Sequence, residues 1–148
     1  MKLPRYPLSS SAKLTTFEFT SEGPKGHIHK LVQFTPTNFK DVFNLAFGDK
    51  DAETGEIDDA VISNNGDSEK VLATVVAALY AFSNENPNAW IYATGSSSSR
   101  TRLYQMGISK HLSEVKNDFS VYGQLNGEWH PFKKGINYDG FLVRRKMP

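Results

Sequence analysis

The chain has 148 residues, enough for one domain with a single core, and its 39% hydrophobic and 12% aromatic content suits a packed globule rather than a disordered chain. A net charge of +1 singles out no polyanionic partner, and the absence of cysteine excludes disulfides, thiolate metal sites and a cysteine nucleophile. No stretch approaches the ~20 apolar residues of a membrane span, and the first residues lack the apolar run of a secretory signal, so a cytoplasmic location is expected.

Residues 1–13, with Pro4, Pro7 and Ser9-Ser10-Ser11, read as an irregular arm. Thr15–Thr20 alternates as a first strand, and Ser21-Glu22-Gly23-Pro24-Lys25-Gly26 is turn chemistry. His27–Thr35 alternates again, with Ile28, Lys30, Val32 and Phe34 on one face, so the two runs form a hairpin. Pro36 stops the second strand. The period of Phe39–Phe47 fits a helix or a strand over Val42–Phe47; the Gly48-Asp49 break and a matching run at Ile57–Ser63 favour the strand. Gly55 then occupies the turn position that needs positive φ.

Asp67 is placed to cap a helix from Ser68 to about Asn84, with Val71, Leu72, Val75, Val76, Leu79 and Phe82 as a broad apolar stripe against a sheet. Asn86-Pro87-Asn88 ends it. Ala89–Thr94 reads as a buried strand. A helix of about two turns follows, with Leu103 and Met106 inward and Gly107 as its C-cap, and Ser109 caps a further short helix carrying Leu112 and Val115. Three strands close the chain, over Phe119–Leu125, Trp129–Phe132 and Tyr138–Arg145, with Asn126-Gly127 as a hairpin turn. The order is ββββ-α-β-α-βββ: one α+β domain over 1–148 with an antiparallel or mixed sheet. Only the helix between the fourth and fifth strands offers a crossover for a parallel pair.

The stretch from Thr94 to Tyr104 carries the main functional signal. Gly95, Ser96, Ser97, Ser98, Ser99, Arg100 and Arg102 lie where a strand turns into a helix. A helix's first turn leaves backbone N–H groups unpaired at the positive end of its dipole, the hydroxyls donate, and arginine grips phosphate bidentately. The pattern is not a P-loop. The competing reading is a serine loop whose arginines are solvated or paired with acids. Residues 41–70 hold nine acidic residues against two basic ones, so the hairpin between Asp49 and Asp59, or Asp67, is a rival partner for Arg100 and Arg102.

Other motifs point more to structure than to chemistry. His27-x-His29 puts two imidazoles on one strand face but lacks the third ligand a metal needs, so no metal is expected. Asp49–Gly55 has the glycine and the last acid of an EF-hand loop out of register and reads as an acidic hairpin tip. Arg144-Arg145-Lys146 reads as a solvated terminus before a nucleic-acid contact. Trp90, Tyr92 and Phe82 read as core rather than a base-stacking platform. No cofactor motif is present. Tyr104, His111 and His130 are the candidate proton carriers if the chain is an enzyme.

Taken as a set, Ser21–Gly26, Asn44–Asp49, Ser63–Asp67, Lys70–Thr74 and Gly95–Tyr104 resemble an uncharacterised bacterial family of the Bacteroidetes type, over about residues 17–146. That resemblance implies a single bacterial domain and transfers no catalytic residue. A topological likeness is to acetyltransferases of the GNAT type, carried by Leu103-Tyr104-Gln105-Met106-Gly107 after the strand–helix–strand. It implies Tyr104 as a general acid and a pyrophosphate seat at Ser63-Asn64-Asn65-Gly66-Asp67, where Asp67 would repel the ligand. Three functions therefore stand. One is a binding domain for a phosphate-bearing ligand, nucleotide or RNA, at Gly95–Arg102. The second is a small enzyme, a toxin-like RNase or a GNAT-like acyltransferase. The third is a protein-interaction module using a sheet edge.

Overall fold

A computed structural model describes residues 5–58, 65–95 and 97–146. Among these, nine strands and three helices form one mixed α+β domain. The strands are β1 (Ser9–Ser10), β2 (Thr16–Gly23), β3 (Gly26–Pro36), β4 (Val42–Lys50), β5 (Ile57–Asp58), β6 (Trp90–Ala93), β7 (Phe119–Leu125), β8 (Glu128–Pro131) and β9 (Gly140–Arg145). The helices are α1 (Ser68–Glu85), α2 (Ser98–Lys110) and α3 (Leu112–Asp118). The sheet order is β1-β2-β3-β4-β6-β9-β7-β8, with β5 on the end of β4.

Alternation sorts each strand into two faces. Phe17, Phe19, Val32, Phe34, Leu45, Phe47, Ile91, Phe141 and Val143 point one way and meet Val71, Val75, Val76, Leu79 and Phe82 of α1. Phe34 and Phe82 stack at 4.2 Å, and each is almost fully buried, worth about 1.5–3 kcal/mol per ring. The other face has no helix on it among the described elements. Leu31 is nonetheless 2% exposed there. Lys50 of β4 reaches Glu18 of β2 at 2.7 Å, so this ion pair bridges β3 at the level of Leu31.

The expected hairpin of β2 and β3 is present but tighter, with only Pro24 and Lys25 between the strands. Ser21 stays in the ladder because its side chain, 0% exposed, is bonded to Asp67. The run over Val42–Phe47 is a strand rather than a helix and Phe39 stands outside it, but Gly48-Asp49 does not break it: β4 continues through both to Lys50, and they pair with Leu31 and Lys30 of β3. Of the matching run at Ile57–Ser63, Ile57 and Asp58 pair with β4; residues 59–64 lie outside those described. The parallel pair is β4 with β6, not the neighbouring run, and α1 makes the crossover.

Expectations about the arm and the helices need correction. The arm contains β1 and buries Tyr6 at 5% exposure. Asp67 makes no side-chain cap to α1, because Tyr6 and Ser21 hold its carboxylate. Gly107 does not end a helix: α2 runs through it to Lys110, and a Cβ there would stand 3.3 Å from Leu72 of α1, so the glycine permits close helix packing. That packing turns Tyr104 inward and leaves Met106 48% exposed. His111, rather than Ser109, precedes α3.

The tail is not a solvated end. Arg145 donates to Ser83 Oγ at 3.0 Å and lies over Tyr80 and Phe119, while Arg144 lies over Trp90. No helix among the described residues is long and apolar enough to cross a membrane.

Candidate functional site

The β6–α2 junction folds as a strand, a short loop and a helix, and its loop is tied internally. Thr94 Oγ1 donates to the Asp139 carbonyl at 3.1 Å. The Gly95 N–H donates to Thr101 Oγ1 at 2.9 Å, and that hydroxyl donates to the Ser97 carbonyl at 3.1 Å. The Gly95 amide is therefore committed to the loop and is not a ligand donor. Ser96 lies outside the described residues, as does the side chain of Arg100. Ser97 and Ser99 are exposed.

Ser98, Thr101, Arg102 and Gln105 follow the i, i+3, i+4, i+7 spacing and share one face of α2. With Asn137, Tyr138 and Asp139 from the segment before β9 they line a cleft of about 350 Å³. Gln105 fixes the far wall: its Oε1 accepts from the Tyr138 N–H at 3.0 Å and its Nε2 donates to the Ile136 carbonyl at 2.5 Å. Asp139 Oδ2 accepts from the Asn126 N–H at 3.3 Å. The cleft thus combines a hydroxyl and a guanidinium at a helix N-terminus with a carboxylate and an amide across from them.

Of the residues picked from sequence, Ser98 and Arg102 line this cleft. Thr101, Gln105, Asn137, Tyr138 and Asp139 were missed. Helical spacing from Ser98 was the available signal for the first two; nothing local marks residues 137–139, which arrive across more than thirty positions of chain. Three of the acids that could have paired with the arginines are engaged elsewhere. Asp49 pairs with Lys30, Asp51 Oδ1 accepts from the N–H groups of Glu53 and Thr54, and Asp67 holds Tyr6 and Ser21. Arg102 is exposed and makes no ion pair among the described residues.

The three candidate proton carriers are not brought together. Tyr104 is 8% exposed and lines a small apolar cavity of about 50 Å³ between α1, α2 and the sheet. His130 is exposed on β8, 3.8 Å from Glu128. His111 is 5% exposed, and its Nε2 is buried without a hydrogen-bond partner among the described residues. His27 and His29 stand exposed on β3, His29 beside Thr20 and His27 beside Glu22. Among the described residues no three histidine, aspartate or glutamate side chains are grouped for a metal.

Desolvation holds the His111 pKa below its ordinary value of 6.5, against the opposing pull of Glu114. The unfolded chain then takes up this proton first as the pH falls. The His111 contribution is complete above about 6.5 and is lost as the pH drops through that value towards the lower folded one. Melting temperatures measured from pH 8 to pH 5 are expected to decline less steeply for His111→Gln than for the parent. Equal declines would show that this imidazole does not set the slope.

The chain belongs to a family of unknown function, DUF6934, whose profile covers residues 2–146. No curated protein and no solved structure matches it. The acetyltransferase likeness gains no support from these comparisons. Its pyrophosphate position at the start of α1 is the place where Asp67 is held by Tyr6 and Ser21.

Proposed function

We propose that this domain binds a phosphate-bearing ligand, a nucleotide or RNA, in the cleft beside the N-terminus of α2. The observation that carries the reading is Arg102: an exposed guanidinium without an ion-pair partner among the described residues, one turn into a helix and on the same face as Ser98. A phosphate at this end meets the helix dipole, the Ser98 hydroxyl and the Arg102 fork together. Asp139 and Asn137 favour a ligand that also donates hydrogen bonds, and a ribose offers hydroxyls for both. A bare anion would leave the Asp139 carboxylate opposing it.

The expected result is that Arg102→Ala weakens binding of a nucleoside monophosphate about tenfold or more in titration calorimetry, the scale of one charge-assisted contact of 1.5–3 kcal/mol. Asp139→Asn is expected to weaken the nucleotide more than inorganic phosphate. Nucleotide binding that is unchanged in Arg102→Ala would reject the cleft as the seat.

A further inference from the structure

The helix-free face of the sheet carries a second, unused set of side chains. Trp90 and Tyr92 of β6 point this way, as do Tyr122 and Gln124 of β7, Arg144 of β9 and Trp129 of β8. They are not core, contrary to expectation for Trp90 and Tyr92; Phe82 alone of that trio is buried against the sheet. Two ring pairs form: Trp90 with Tyr122 at 6.1 Å and Tyr92 with Trp129 at 5.9 Å. Gly140 makes room for the second, since a Cβ there would stand 3.3 Å from the Tyr92 ring. Trp90 and Tyr92 are alternate residues of one strand, so their rings step along the face by about 6.6 Å.

Charge decides what such a floor accepts. Among the side chains that β6, β7 and β9 turn to this face, Arg144 is the one charged group and there is no carboxylate. Its guanidinium lies 5.1 Å over Trp90, and its Nε is buried with no hydrogen-bond partner among the described residues. A neutral sugar would leave that cation uncompensated, and an acidic peptide would leave the row of flat rings unused. An occupant that is both planar and anionic satisfies both. Gly140 directly follows Asp139, so this floor begins where the α2 cleft ends.

We infer that the open face is a stacking platform for single-stranded nucleic acid, with bases on the Trp90–Tyr122 and Tyr92–Trp129 pairs and a phosphate at Arg144; the inference rests on the phosphate reading of the cleft for its second anchor. The test uses a short fluorescent single-stranded RNA and the full chain, with circular dichroism to confirm folding of each variant. Trp129→Ala, on an edge strand and 39% exposed in the parent, is expected to weaken binding at least about fivefold. Arg144→Gln is expected to lower the slope of log K against log salt by about 0.7. If both variants bind RNA as the parent does while Arg102→Ala does not, the platform is overturned and the cleft stands. Should both lose RNA while Arg102→Ala keeps RNA and nucleotide alike, the platform stands and the cleft reading fails. No RNA binding at low salt, or equal binding of a neutral oligosaccharide, overturns the platform.

Discussion

Asp49→Ala is expected to cost about 3–5 kcal/mol, the largest loss from any single polar substitution in this fold. Lys30 is the reason. It lies on the helix-facing side of β3, opposite Phe19 on β2 and Asp49 on β4, and is 5% exposed. Its ammonium is paired with the Asp49 carboxylate and lies 5.9 Å from the centre of the Phe47 ring. Removing the carboxylate leaves a cation in an apolar setting, where losing its charge or dragging in water are both costly. The pair itself is not a strong source of stability, since each ion surrendered its hydration to enter. Lys30→Met combined with Asp49→Leu is therefore expected to recover most of the loss. Urea unfolding of the three proteins checks this. A double variant as unstable as Asp49→Ala would mean that the ion pair, and not the burial of one unpaired charge, supports the sheet.

Lys30 also shows what could and could not be read in advance. Alternation put it on the same face as Val32 and Phe34, which was correct. Its partner depends on the exact register of β3 against β4, which pairs Lys30 with Asp49 across a five-residue connection. No local pattern sets that register. The elements that were legible had strong periodicity or turn chemistry: α1 with its apolar stripe, and the Asn126-Gly127 turn, whose φ values are +50° and +83°. The second helix was harder, because its hydroxyls and arginines supply little apolar period and Gly107 imitates a stop. A two-residue period divides a strand into faces without saying which face a helix will cover. Trp90 and Tyr92 were assigned to the core for that reason. The cleft was half visible, since α2 supplies one wall within eight residues and the segment 137–139 comes from the end of the chain.

The second large effect is expected at Asp67. Its Oδ2 accepts from Tyr6 Oη and from Ser21 Oγ, each at 2.5 Å. Around this carboxylate the N-terminal arm, the β2–β3 hairpin and the start of α1 are joined. Tyr6 Oη also accepts from the Glu22 N–H at 3.0 Å, and the Tyr6 N–H donates to Thr74 Oγ1 at 2.8 Å on α1. Asn65 Nδ2 donates to Ser21 Oγ at 3.2 Å and to the Gly26 carbonyl at 2.9 Å. Asp67→Ala removes the acceptor from two buried hydroxyls at once, and a hydrogen bond to a charged group is worth about 1.5–3 kcal/mol, so a loss of about 3 kcal/mol is expected. Asp67→Asn keeps one acceptor oxygen and is expected to lose about half as much. Burial and the neighbouring carboxylate raise the Tyr6 pKa above its ordinary value of 10. The unfolded chain then releases this proton first, so the stability Tyr6 contributes is present below pH 10 and is lost as the pH rises through that value. Because desolvation is the larger cause, Asp67→Ala is expected to reduce that alkaline loss without abolishing it. Denaturant titrations at pH 8 and pH 10.5 on parent and variant read both effects, and an Asp67→Ala protein as stable as its parent at pH 8 would remove this knot from the account of how the arm is held.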